Sequence, residues 1–348
     1  MAMADITVYG AGIFGLGVAW ACAVRGAKVQ VIDPYGVGSG SSGGVVGALA
    51  PHTPENWNDK KQFQFESLML AEPFWRGVET AGGLSTGYAR SGRLQPLNDT
   101  RALEFAEARS ENAKTLWQGR ARFDIVAADS FGDWAPKSET GLLAFDTLSG
   151  RMHPRMTCAA LVAALQSKGC TIATDGKPEG KVIEATGWRG LLRLAEEMDQ
   201  PVGNGVKGQG AVLDFAAGRD APQLFADALH IIPHSNGTIA IGSTTERDFD
   251  DPESTDAQLE SVIDRARLAF PVLKDAPVIE RWAGVRPRAK SRAPMIGHHP
   301  TREGAFIVNG GFKIGFGMAP KLAEIMADLV LDGIDQIPEG FKPEASIR

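Results

Sequence analysis

Apolar residues near the N-terminus fall first into a run of four, Ile6-Thr7-Val8-Tyr9, closed by Gly10. A stretch of helical length follows, from Ile13 to Arg25, and stops at Gly26. A second short run, Lys28-Val29-Gln30-Val31-Ile32, ends at Asp33. Two short β-rich runs around one longer apolar segment predict a strand, a helix and a parallel strand, a βαβ unit. The 19 residues from Ile6 to Val24 carry no charge, close to the length that spans a bilayer. Gly10, Gly12, Gly15 and Gly17 interrupt them, however, and the chain opens with an acid, Asp5, and no Lys or Arg before Arg25, unlike a secretory signal. A buried strand followed by a buried helix is the expectation.

Further along, Asn58 to Val78 reads as a helix, Tyr88 to Gln95 as a strand with polar alternation, and Thr100 to Trp117 as an amphipathic helix. Met156 to Lys168, Cys170 to Thr174 and Lys181 to Glu184 return to α/β character. Gln209 to Phe215, Gln223 to Pro233 and Thr238 to Gly242 read as strands separated by Gly, Asn and Asp turns, as an antiparallel sheet requires. Ala305 to Asn309 is a short apolar strand, Gly310 to Gly317 a glycine-rich loop, and Ala319 to Leu331 a helix with Pro320 in its first turn. No internal repeat is visible. The fold class expected is α/β, with length for roughly two domains at about 150 residues each.

Composition sharpens this picture in two places. Average usage of about 7% predicts roughly 24 glycines, whereas the chain has 41, and fourteen of them lie in Gly10 to Gly17, Gly36 to Gly47 and Gly310 to Gly317. Close backbone approach to something is required there. A net charge of −6 gives no footprint for nucleic acid or anionic lipid. Cys22, Cys158 and Cys170 are odd in number and widely spaced, so neither a disulfide framework nor a zinc site is indicated, and a reducing, cytoplasmic setting is expected. Adjacent His298 and His299 would point to opposite faces of a strand, and His52 and His153 lack ligand spacing, so no metal site is expected.

Between the first strand and its helix stands Gly10-Ala11-Gly12-Ile13-Phe14-Gly15, and Asp33 ends the second strand 18 residues after Gly15. GxGxxG alone is weak, but with a strand before, a helix after and an acid at this distance it is a dinucleotide-binding fingerprint. Gly10 permits the tight turn, Gly12 lets backbone approach a pyrophosphate at the helix N-terminus, and Gly15 lets helix and strand pack closely. Asp33 is placed to hydrogen-bond ribose hydroxyls. The fingerprint does not choose between NAD and FAD. The segment from Gly36 to Gly47 carries six glycines and Ser39, Ser41 and Ser42, then runs into Ala48-Leu49-Ala50-Pro51. A flexible linker is the simplest account of such composition, but its place directly after Asp33 suits a loop wrapping a long cofactor. Arg286 closes the apolar run Trp282-Ala283-Gly284-Val285 and should emerge at the end of a buried strand, unlike its neighbours Arg288, Lys290 and Arg292, which read as surface.

Together these segments, the strand Val182-Ile183-Glu184-Ala185-Thr186-Gly187, and the C-terminal block resemble the FAD-dependent D-amino acid oxidase and glycine oxidase family. That block comprises Trp282 to Pro287, Pro294 to Gly297 and Phe306 to Pro320. The glycine oxidase type associated with thiamine biosynthesis is the nearest match, over nearly the whole chain. The resemblance implies a discontinuous Rossmann-like FAD-binding domain, residues 1–80, 145–195 and 285–348, with an inserted substrate domain on a mixed or antiparallel sheet, residues 81–144 and 196–284. FAD would be held by Gly10, Gly12, Ile13, Phe14, Gly15, Asp33, Ser39, Ser41, Ser42, Gly47, Ala48, Leu49 and Gly187, and by Gly311 to Phe316 (Gly311, Phe312, Lys313, Ile314, Gly315, Phe316). Arg286 matches the arginine that grips a substrate carboxylate, a task that suits a planar, permanently charged fork. Lys313 is the candidate cation at the flavin N1 and C2 carbonyl edge, where it would stabilise the anionic reduced flavin.

The sequence departs from the family at three points. His230 stands where a tyrosine commonly helps hold the carboxylate, so its charge is expected to vary with pH. Gly311 replaces a frequent histidine, and Lys313 a common arginine. The expected reaction is oxidation of a small amino acid or secondary amine, of glycine, sarcosine or D-amino acid type, by hydride transfer to flavin N5. It would give an imino acid and then an oxo acid, with oxygen reduced to hydrogen peroxide. A dehydrogenase passing electrons to a quinone or protein, and an FAD-binding subunit of a larger complex, remain open. Homo-oligomerisation also remains open.

Overall fold

The computed structural model describes residues 3–347. Its first sheet has six strands in the order Met295–His298, Phe306–Asn309, Lys181–Glu184, Ile6–Tyr9, Val29–Ile32 and Thr171–Ala173. All pairings are parallel except that of Met295–His298, which runs antiparallel to Phe306–Asn309. The predicted βαβ unit lies at the centre of this sheet. Its helix, Ile13–Val24, is buried from Ile13 to Ala23, because both neighbours in space are protein: it packs on the sheet and against the helix Gly315–Ala327. A helix apolar on every side is stable only in such a position. Among the described residues no helix is long and apolar enough to cross a membrane.

Helix Asp59–Gly82 packs against Gly315–Ala327 and Pro154–Ser167. Its start is fixed by the Asn58 side chain, which accepts from the Lys61 amide at 3.1 Å, and its end by Gly83 in the left-handed region at φ +69°. It therefore runs a turn beyond the expected end at Val78. Helix Thr100–Leu116 is capped by Asp99, whose carboxylate accepts from the Ala102 amide at 2.7 Å.

The second sheet has eight strands, in the order Val278–Ala289, Gly203–Asp214, Thr238–Gly242, Leu229–Pro233, Gln223–Ala226, Arg93–Leu97, Leu142–Asp146 and Phe123–Ala127. It is antiparallel apart from the pairing of Gln223–Ala226 with Arg93–Leu97. Its core is Leu213, Ile231, Ile239 and Ile241 packed against Leu259, Val262, Ile263 and Ala266 of helix Ala257–Ala269. The rest of the apolar interior gathers mainly around the first sheet.

Other elements differ from expectation as well; the strand expected from Gln209 begins at Gly203. Gln223 to Pro233 is not one strand but a hairpin turning at Asp227 and Ala228, with φ of 50° and 58°; this left-handed pair, without glycine, leaves no compositional mark. The strand expected over Tyr88 to Gln95 is instead Arg93–Leu97, because Gly92 turns the chain at φ +80° and Ala89 makes only an isolated bridge to Arg151. The C-terminal helix begins at Gly315 rather than Ala319, so Pro320 stands inside it.

Candidate active site

The site begins where the first strand stops. The Gly10 amide donates to the Ile32 carbonyl at 2.9 Å, and Gly10 turns at φ +109°, where a Cβ would collide with the Ala185 carbonyl. Gly15 faces the other way. A Cβ there would strike the Gly10 carbonyl, so Gly15 lets the helix sit on the strand and does not itself line the cavity. Gly12 is the cap of helix Ile13–Val24 and supplies no side chain to it. Ser42 does so from the loop: its Oγ accepts from the Ile13 amide at 2.9 Å. Asp33 is fixed by two amides, Ala11 to Oδ2 at 2.8 Å and Tyr35 to Oδ1 at 3.0 Å. A carboxylate so held is already oriented and keeps lone pairs for ribose hydroxyls.

The segment from Gly36 to Gly47 is an ordered loop. The Gly38 amide donates to the Ala11 carbonyl at 2.9 Å, and the Val45 carbonyl lies 2.8 Å from His234 Nε2. Gly47, at φ +69°, leaves no room for a Cβ beside the Met152 carbonyl, and Ala48–Leu49 pairs with Gly150–Arg151. On the C-terminal side, Asn309 Nδ2 donates to the Gly187 carbonyl at 2.9 Å, which ties Gly187 to the strand that leads into Gly310 and Gly311. The Phe312 amide donates to the Pro287 carbonyl at 2.8 Å, and helix Gly315–Ala327 starts without a side-chain cap. The N-termini of these two helices thus face one cavity of about 1100 Å³. Anions and developing negative charge are favoured at such ends. Every sequence-predicted cofactor residue except Gly15 lines this cavity, as do Arg286, His230 and Lys313.

Arg286 lies within the long strand Val278–Ala289, not at its end. Its side chain turns inward over Gly208 of the adjacent strand, and its residue exposure is 9%. Nη2 donates to Ser243 Oγ at 2.7 Å and Nη1 to the Thr244 carbonyl at 3.3 Å. Neither partner is a carboxylate. Burial pushes the guanidinium down to about 10, which leaves it charged at neutral pH, and Glu246 opposes the shift. Glu246 is itself engaged, accepting from Thr244 Oγ1 and Gln209 Nε2 and lying 3.8 Å from Lys207.

His230 faces Phe225, with ring centroids 4.7 Å apart, and its Nδ1 is buried without a hydrogen-bond partner. Burial, with Arg93 and Lys313 adding to it, pushes its imidazole down to about 3. The expected pH-dependent charge is therefore corrected: His230 is neutral across the physiological range. Lys313 also departs from expectation. Its Nζ donates to Thr245 Oγ1 at 2.8 Å, so it is drawn toward the segment that holds Arg286, and burial and Arg286 both push its ammonium below the usual value.

Sequence reasoning misses Gly208 and Ser243-Thr244-Thr245. The hydroxyl triplet directly after the apolar strand Thr238–Gly242 is the one local signal; Gly208 carries none. Gly311 has a clear steric reason: a Cβ there would stand 2.7 Å from Cζ of Phe14, whose ring fills the space a larger residue would need.

A glycine-framed cradle that shares its cavity with a buried arginine is the arrangement of a dinucleotide-binding enzyme. The family of FAD-dependent oxidoreductases that includes D-amino acid oxidase matches residues 5–329. The chain belongs to it and uses FAD. Glycine oxidase of Pseudomonas putida is 26% identical over 99% of both chains, and the bifunctional protein ThiO/ThiG of Synechocystis is 25% identical over 98% of this chain. The chain spans about half the length of the latter, 54%. Among solved structures, iminodiacetate oxidase of Chelativorans sp. BNC1 has a TM-score of 0.84 at 22% identity, covering 97% of this chain and 98% of that one. The protein is an FAD-dependent oxidoreductase of this family.

Proposed function

We propose that this enzyme oxidises a small amino acid or secondary amine whose carboxylate is held by Arg286. The observation that carries the reading is a buried guanidinium without a carboxylate partner, opening onto the cavity that the dinucleotide loops enclose. Leaving such a charge unpaired is costly unless a ligand completes it. The cradle suits the cofactor: Gly10 and Gly47 exclude side chains where backbone must stay close, and Asp33 and the two helix ends supply the ribose and anion contacts.

Bound FAD supplies a two-electron acceptor at N5. Arg286 and Ser243 orient the substrate carboxylate, and the fixed carboxylate sets the direction of the Cα–H bond. His230 lines the same cavity as a neutral ring and so adds no charge beside the substrate. The substrate loses a hydride from Cα and a proton from nitrogen. The resulting imine takes up water to give an oxo acid and ammonia or an amine. Oxygen accepts the two electrons and, with two protons, leaves as hydrogen peroxide.

The test is anaerobic flavin bleaching with glycine, sarcosine, D-amino acids and cyclic imino acids, followed by air. Bleaching by a carboxylate amine and rapid recolouring with peroxide is the expected result. Bleaching without recolouring until a quinone is added identifies a dehydrogenase. No bleaching by any member overturns the reading in favour of a cofactor-binding subunit.

A further inference from the structure

The charges at the Arg286 end of the cavity do not cancel. Arg93 is paired with Asp146 at 2.9 Å, and Lys207 with Glu246 at 3.8 Å. Arg286 and Lys313 have no carboxylate within ion-pair distance among the described residues. They are held by three consecutive residues instead: Ser243 and Thr244 bind the guanidinium, and Thr245 binds the ammonium. Both line the same cavity together with His230, whose buried Nδ1 lacks a partner.

We infer that the substrate carries two carboxylates, one bound by Arg286 and Ser243, the other by Lys313, which Thr245 positions from outside the cavity. The inference rests on the function proposed above and adds a substrate class to it. A hydride leaves Cα readily only when the amine is neutral, so a monocarboxylate substrate enters the reaction with charge −1 and meets one cation of this pair, leaving the other to solvent. A dicarboxylate enters with −2 and balances both. Like charges that share a cavity repel each other, and Arg286 acts to lower the proton affinity of the more exposed Lys313. A second anionic group relieves that repulsion, whereas an apolar substituent in the same place leaves it standing. The second carboxylate can be carried on the amine nitrogen or on the side chain; both arrangements share the chemistry that Lys313 recognises.

The test compares pairs that differ by one carboxylate, with FAD bound. Methoxyacetate and diglycolate are not oxidised as amines, so their binding is read from calorimetry and from perturbation of the flavin spectrum. Diglycolate should bind at least about tenfold more tightly, and in Lys313→Met the ratio of the two affinities should collapse toward one. Bleaching rates with iminodiacetate against sarcosine, and with D-aspartate against D-asparagine, then show whether the second carboxylate belongs on nitrogen or on the side chain. Equal affinity of the wild-type protein for the two acids overturns the dicarboxylate assignment and leaves the amine oxidation standing. Failure of both acids to bind flavin-loaded protein overturns the carboxylate site itself. A Lys313→Met protein that weakens both acids equally overturns the separate second subsite. If Lys313→Met does not fold, Thr245→Val makes the same comparison, since it removes the hydroxyl that holds Nζ.

Discussion

Arg286 reaches the cavity because Gly208, on the neighbouring strand, has no side chain. A Cβ on Gly208 would occupy the position of the terminal guanidinium nitrogens. Strands Gly203–Asp214 and Val278–Ala289 pair over almost their full length, so neither backbone can retreat to make room. Gly208→Ala should therefore push the guanidinium off Ser243 while the distant dinucleotide loops stay intact. The expected result is a fall in kcat/KM for carboxylate substrates of about ten- to a hundredfold, the value of a charge-assisted hydrogen bond of about 1.5–3 kcal/mol. Flavin content should be unchanged. Unaltered kinetics in a folded, yellow Gly208→Ala protein would show that Arg286 is not the carboxylate anchor.

Asp33 holds the other end of the cavity. Its two oxygens already accept from the Ala11 and Tyr35 amides, so its removal frees the turn that carries Ala11 as well as deleting the proposed ribose contact. Asp33→Ala should weaken FAD binding by about 1.5–3 kcal/mol, measured by fluorescence titration of apoprotein. Asp33→Asn, which keeps an oxygen acceptor, should lose less. An affinity that stays at the wild-type value in both variants removes Asp33 from the cofactor site.

The dinucleotide half of this site is legible in the sequence because its demands are local. Gly10, Gly12, Gly15, Ser42 and Asp33 act within one strand, one turn and one loop, and each requirement falls on a residue type that can be counted. The substrate half is assembled from strands far apart in sequence. Ser243 meets Arg286 only because Thr238–Gly242 and Val278–Ala289 flank the same strand, Gly203–Asp214. Lys313 shows the same limit: its flanking glycines mark a cofactor-facing loop, but nothing local says that its side chain reaches Thr245. The hairpin at Asp227 and Ala228 is hidden for a third reason, since its left-handed residues are not glycines.

Two buried histidines make the fold sensitive to acid. Burial pushes His230 down to about 3 and His234 to about 4, whereas in the unfolded chain both return to about 6.5. Below that value the unfolded state binds protons that the folded state refuses. Stability is therefore highest above pH 6.5 and falls as pH drops toward 4, by up to about 1.4 kcal/mol per pH unit for each histidine. Urea unfolding at pH 7.5 and pH 5.0 should show this loss, and His234→Gln should reduce it. Over pH 6 to 8, by contrast, His230→Gln should leave the shape of the kcat/KM profile unchanged, because neither residue titrates there. A new inflection near pH 6.5 in the wild type that vanishes in His230→Gln would contradict a neutral His230.

Gly311 and Phe14 meet where the two ends of the chain line the cavity, and their contact can be tested directly. The Phe14 ring leaves 2.7 Å for a Cβ at Gly311, with Cα of Gly315 at 3.0 Å on the other side. Gly311→Ala must move either the ring or the start of helix Gly315–Ala327, and overpacking of this kind costs about 1–3 kcal/mol. Both lie against the cavity, so the loss should appear as a lower melting temperature together with weaker FAD binding. Phe14→Leu shortens the ring side of the contact and should be tolerated alone. Combined with Gly311→Ala it should recover part of the lost affinity, since the two changes share one space and are not additive. Additive losses in the double variant would mean that Gly311 is required for its backbone alone and not for the room it leaves to Phe14.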